Sequence, residues 1–155
     1  MPSAKGKNQE FEAALKNVIK TLEDSQKGMA EIGDRLEDPE LKRFFLAESL
    51  KRANFRGELE NELHRHGIAD VEESGTMAGA LYRAWAGLKA RLGGTDQSLV
   101  TTAEEADRET LEAYKEALDE NLPIPVRQLL VEQQTQILSA CDFMREARTQ
   151  YKKAS

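Results

Sequence analysis

A chain of 155 residues is the size of one ordinary domain, large enough to bury a core without disulfides or a structural metal. Charged residues make up 32% of it and the formal net charge is −6, so most surfaces must be solvated and a nucleic-acid backbone would be repelled. The single cysteine, Cys141, excludes an intrachain disulfide and a cysteine-cluster zinc site, and no apolar run approaches the ~20 residues of a membrane-spanning helix.

Residues 1–8 form a polar lead-in without an apolar stretch, and residues 9–152 read as a single domain. With a lone cysteine, this opening leads to the expectation of a cytoplasmic protein. Pro39, Pro123 and Pro125 fall where an apolar pattern of period 3.6 is interrupted, so they punctuate helices. The stripe Phe11, Leu15, Val18, Leu22, Met29, Ile32 and Leu36 predicts a first helix over about 11–36. Asp38 is placed to cap a second helix with Pro39 at its first position, running through Leu41, Phe45, Leu59 and Leu63 to Gly67. So short a connection makes these two an antiparallel hairpin.

Residues 67–95 are rich in glycine and alanine and read as a crossover. Its centre (Met77, Leu81, Trp85, Leu88) predicts one short helix. Asp96 is a candidate cap for the next long helix, with the stripe Leu99, Ala103, Ala106, Leu111, Tyr114 and Leu118. The last helix follows Pro123 and Pro125 and turns Val126, Leu130, Ile137, Ala140, Met144, Ala147 and Tyr151 inward. The expected fold is all-α: a ferritin-like four-helix bundle of two antiparallel hairpins joined by a long crossover containing a short fifth helix.

Polar residues at core phase are the informative ones. Gln26 falls close to Leu22 and Met29, with Ser25 flanking it. Glu48, Ser49, Arg52 and Arg56 lie between Phe45 and Leu59, and Glu48 and Arg52 are four apart and can pair. Asp107 lies between Ala103 and Tyr114 beside Thr110, and Gln133 and Gln134 lie between Leu130 and Ile137. Buried polar groups need partners, so one shared network is expected: Arg52 with Asp107 and Glu48, bridged by Gln26 and Gln133. The plainer alternative is that these residues lie on helix flanks and fix the register of the bundle.

A di-iron or di-manganese bundle site draws carboxylates from two helices and a Glu-x-x-His pair from each of the others. The only histidines, His64 and His66, close the second helix, and Asn61 stands where the glutamate paired with His64 would be. Solvated residues near a helix C-terminus are their expected role. Cys141 shares a face with Ile137 and Met144 and reads as a small core residue rather than a nucleophile. No catalytic residue, metal ligand set or cofactor is assigned. Trp85, Tyr82 and Met77 form an apolar patch that suits a cap on the bundle or a dimer contact.

The segments Leu-Glu-Asp-Ser-Gln-Lys-Gly-Met (22–29), Asp-Pro-Glu-Leu-Lys (38–42), Arg52 to Phe55 with Glu58 and Leu59, Gly79 to Trp85, and Ala113 to Leu118 together resemble a bacterial ferritin-like family of four-helix-bundle proteins of unknown function. The resemblance runs from about Phe11 to Arg148. That family often has glutamate where this chain has Gln26 and Asp107, and histidine where it has Cys141, which implies that any metal affinity from those ligands is lowered here. Arg52 matches the family pattern, and a guanidinium at the bundle centre can take the place of a cation. The expected function is a non-enzymatic structural or interaction protein, stress-associated as ferritin-like relatives would suggest, with no nucleic-acid or membrane partner and with a homo-oligomer left open. The alternatives are a residual iron- or manganese-binding protein using Glu48, Asp107, Glu23 or Glu104, and a small-molecule binder near Gln26, Gln133 and Tyr114.

Overall fold

The computed structural model describes residues 2–68 and 94–154, and these comprise four α-helices and no strand. They are α1 (Pro2–Arg35), α2 (Pro39–Arg65), α3 (Asp96–Leu118) and α4 (Ile124–Ala154). The crossover, its short helix and the Trp85 patch lie outside the described residues. Helix α1 starts at Pro2, so helical backbone takes in the polar lead-in: proline suits a first helical position, and polar residues lack a stripe without breaking a helix.

The helix boundaries follow local chemistry. Asp38 caps α2 by accepting the Glu40 N–H at 3.3 Å, with Pro39 next in the chain. Gly67 ends α2 at φ 73°, a left-handed conformation that favours glycine, and the Ile68 N–H returns to the Leu63 carbonyl at 3.0 Å. At the start of α3 the cap is Thr95, whose hydroxyl accepts the Ser98 N–H at 3.3 Å, and not Asp96. The Asp96 carboxylate is committed elsewhere, accepting the main-chain N–H of Glu37 and of Asp38, each at 2.9 Å.

That contact sets the topology. It holds the start of α3 at the end of the bundle where α1 finishes and α2 begins, so α2 and α3 run parallel. Phe44, early in α2, stacks on Phe143, late in α4, at 4.1 Å between ring centroids, so α4 runs antiparallel to α2. Helix α1 packs against α2 and α3, and α4 against α3 and α2. Gly33 permits the close approach of α1 to α2, since a Cβ there would stand 3.0 Å from Leu46 Cδ2. The core between the helices is built from Leu15, Leu22, Met29, Phe45, Leu59, Leu130, Ile137 and their neighbours, and it is interrupted at mid-length by charge.

Candidate functional site

Arg52 is the largest fully buried side chain among the described residues. Its place on α2 is forced by helical phase: Phe45 and Leu59, seven residues to either side, are both core residues. A guanidinium there must be paired or it would cost several kcal/mol. Four of its five N–H groups are used. Nη1 donates to Asp107 Oδ1 at 2.7 Å and to Ser25 Oγ at 3.1 Å, while Nη2 donates to Glu48 Oε1 at 3.0 Å and to Asp107 Oδ2 at 3.1 Å. The contact with Asp107 is bidentate, the fork geometry that arginine offers and lysine cannot. Only Nε is left without a protein partner. Burial opposes the guanidinium charge, but Asp107 and then Glu48 outweigh it and hold the group more firmly protonated than a free arginine.

Three helices supply this centre. Helix α2 gives Arg52 and Glu48 one turn apart, α3 gives Asp107, and α1 gives Ser25. Glu48 also reaches outward, with Oε2 3.1 Å from the half-exposed Lys51 ammonium. Helix α4 adds Cys141, whose thiol donates to Asp107 Oδ2 at 3.6 Å. Burial, reinforced by the Asp107 carboxylate, pushes that thiol well above the ordinary cysteine range, which suppresses the thiolate a nucleophile would need.

Of the residues assigned to one network, the structure brings Arg52, Glu48 and Asp107 together and sets the other two apart. Gln26 is half-buried, and it is its main-chain carbonyl that takes part, accepting the Ser49 hydroxyl at 2.9 Å. The reason is phase. Val18, Leu22, Ser25, Met29 and Ile32 follow one another at spacings of four, three, four and three, which puts Ser25 at the centre of the α1 stripe and Gln26 a further 100° round. Gln133 is buried but belongs to a second set nearer the other end of the bundle: it accepts the Tyr114 hydroxyl at 2.7 Å and donates to the Phe55 carbonyl at 3.2 Å and Glu58 Oε1 at 3.3 Å. Burial pushes the Tyr114 phenol upward, so it remains a donor.

Sequence reasoning missed Ser25 as a direct ligand of the guanidinium, the Cys141 contact, and a third charged set in which buried Glu104 meets Arg148 of α4 at 3.1 Å and Arg108 at 3.2 Å. The i,i+4 spacing of Glu104 and Arg108 was a usable signal; the reach of Arg148 across to α3 was not.

The donor chemistry does not fit a di-iron or di-manganese cluster. Both Asp107 oxygens and Glu48 Oε1 are bonded to a permanent cation, Glu104 lies between two arginines, and no imidazole enters the core. His66 terminates α2 and packs edge-on against Phe11 with ring centroids 5.0 Å apart, and His64 is exposed near the same helix end. Among the described residues no group of three or more His, Cys, Asp and Glu side chains is placed to hold a metal ion. No described helix is long and apolar enough to cross a membrane.

The family described as Domain of unknown function (DUF2383) matches residues 10–120, a span that takes in Ser25, Glu48, Arg52 and Asp107 and ends before α4. No curated protein matches the chain.

Proposed function

The chain belongs to the DUF2383 family, and on that premise we propose that it is a non-enzymatic structural or interaction protein, a helical scaffold whose core carries a built-in cation. The observation that carries this reading is the Arg52 guanidinium, fully buried and held by Asp107, Glu48 and Ser25 from three helices. A covalently attached cation keeps a positive charge beside the interior carboxylates at all accessible pH, so the bundle gains polar specificity without an exchangeable ion. The buried thiol and phenol are both held in their neutral forms, which suits a core that ties helices together rather than one that turns over substrate.

We read the fold as ferritin-like. Parallel α2 and α3 are what two antiparallel hairpins joined by a long crossover produce, and Asp96 clamped to the α1–α2 connection supports that arrangement. The resemblance of segments such as 22–29 and 38–42 supports a bacterial and stress-associated setting, and the lone Cys141 suits a cytoplasmic one.

The test is metal content and oxidase activity of protein purified without chelators. Elemental analysis is expected to find less than about one metal ion per ten chains, and ferrous iron is expected to oxidise no faster than in buffer. Stoichiometric iron or manganese, or turnover with ferrous iron, would replace this reading with that of a metal-binding ferritin-like protein.

A further inference from the structure

Beside its core face, next to the line along which α1 packs, α2 carries a second pattern. Arg43, Leu46, Leu50, Ala53, Gly57 and Glu60 succeed one another at spacings of three, four, three, four and three, the repeat of a coiled-coil seam. Leu50 is 73% exposed, and Leu46, one edge of which lies over Gly33 of α1, keeps 37% of its surface exposed, whereas the inward residues Phe45 and Leu59 are fully buried. A Cβ added to Gly57 would meet nothing within 4 Å among the described residues, so the seam is flat at that point.

We propose that this outer seam of α2 docks a second copy of the chain, α2 against α2 in antiparallel orientation about a two-fold axis between positions 51 and 52. The seam is complementary to itself in that orientation alone. Antiparallel pairing about this axis sets Leu50 against the partner's Ala53 and Leu46 against the partner's Gly57, large against small in both cases. It also sets Arg43 against the partner's Glu60, a cation against an anion, and the symmetry makes each contact twice. Parallel pairing would place Arg43 against Arg43 and Glu60 against Glu60. The residues beside the seam on its open flank, Ala47, Asn54 and Asn61, carry no charge that would oppose the approach. Glu60 is available, since its intrachain contact with Arg56 is long, 3.5 Å, and both partners are substantially exposed.

The seam spans 18 positions, about 27 Å of helix at 1.5 Å per residue, which is small for a specific interface. The dimer is therefore expected to be weak, with a dissociation constant of about 10–100 μM.

The experiment is sedimentation velocity on the full chain from about 1 to 500 μM, bracketing that range. A reversible monomer–dimer equilibrium is expected. Leu50→Glu, at a site too exposed to upset the fold, is expected to leave a monomer throughout with an unchanged circular dichroism spectrum. Arg43→Glu and Glu60→Arg are each expected to weaken the dimer about tenfold, and the double variant to regain the wild-type constant, because the swapped charges meet again across the axis. Leu138→Glu, on an apolar stripe of α4 with Val131 and Ile124, is expected to have no effect. A monomer at every concentration would overturn the proposal. So would a dimer that survives Leu50→Glu or dissociates with Leu138→Glu, or a charge reversal that the double variant fails to restore.

Discussion

Replacing Asp107 with alanine strips the Arg52 guanidinium of two of its four hydrogen bonds and of its closest counter-charge, at 2.7 Å. Glu48 remains, but it also serves Lys51, so the buried charge is left undercompensated. Breaking a buried pair in this way costs about 3–5 kcal/mol. A chain of this length loses about 2–4 °C in melting temperature per kcal/mol, so a fall of about 10 °C is expected by calorimetry or circular dichroism at neutral pH. The exposed Glu116 on the same helix is the control, and Glu116→Ala is expected within about 0.5 kcal/mol of wild type. The combined replacement Arg52→Met, Asp107→Leu and Glu48→Met should recover most of the loss, because removing every charge leaves none unpaired. Equal melting temperatures for Asp107→Ala and Glu116→Ala would show that the central ion pair does not bear on stability.

Asp24 is half-buried with Oδ2 lacking a partner, and burial, together with neighbouring Glu23, raises its pKa. A carboxyl with a folded pKa above its unfolded value stabilises the fold while protonated, and that stability is lost as pH rises through the folded value. Asp24→Asn is therefore expected to melt higher at pH 7, by about half a kcal/mol after solvent screening, and to lose its advantage in acid below the usual aspartate range; a pH series of melts in which the gap between the two proteins does not close in acid would refute this. At Gly67, with φ 73°, alanine is expected to cost about 1 kcal/mol or more through left-handed backbone strain, read by denaturant titration. Cys141, 9% exposed and pushed toward the neutral thiol, is expected to react with a disulfide reagent at pH 8 only as the bundle opens, so labelling should accelerate sharply in denaturant. Immediate full labelling of the native protein would contradict the buried contact with Asp107.

Much of the helical framework was legible because its punctuation is local. Asp38 with Pro39, Gly67, and Pro123 with Pro125 act through chain geometry within a few residues. The inward placement of Arg52 and Asp107 follows from helical phase alone, and the structure brings the two together. What was not legible depends on contacts between distant segments. Asp96 looks like a helix cap in its own sequence, yet its carboxylate is taken by N–H groups 58 and 59 residues away, which leaves capping to Thr95. Ser25 and Gln26 are neighbours on a helix and differ by only 100°, so a small error in the axis of the stripe exchanged the centre of the site for its flank. Cys141 and Arg148 touch Asp107 and Glu104 only because α4 is rotated to present them to α3, a rotation set by packing rather than by the α4 pattern alone.

The account turns on Arg52 as the cation of the bundle core, and melting the wild-type protein with and without about 1 mM manganese or ferrous iron tests it most directly. An intact carboxylate site with a dissociation constant of ~10 μM would stabilise the fold by about 2.7 kcal/mol at that concentration, a rise of roughly 5–11 °C. With Asp107 and Glu48 bonded to a guanidinium, no rise is expected from either metal, and no fall from excess chelator. A rise of several degrees that chelator reverses would show that these carboxylates hold a metal ion and that Arg52 does not stand in its place.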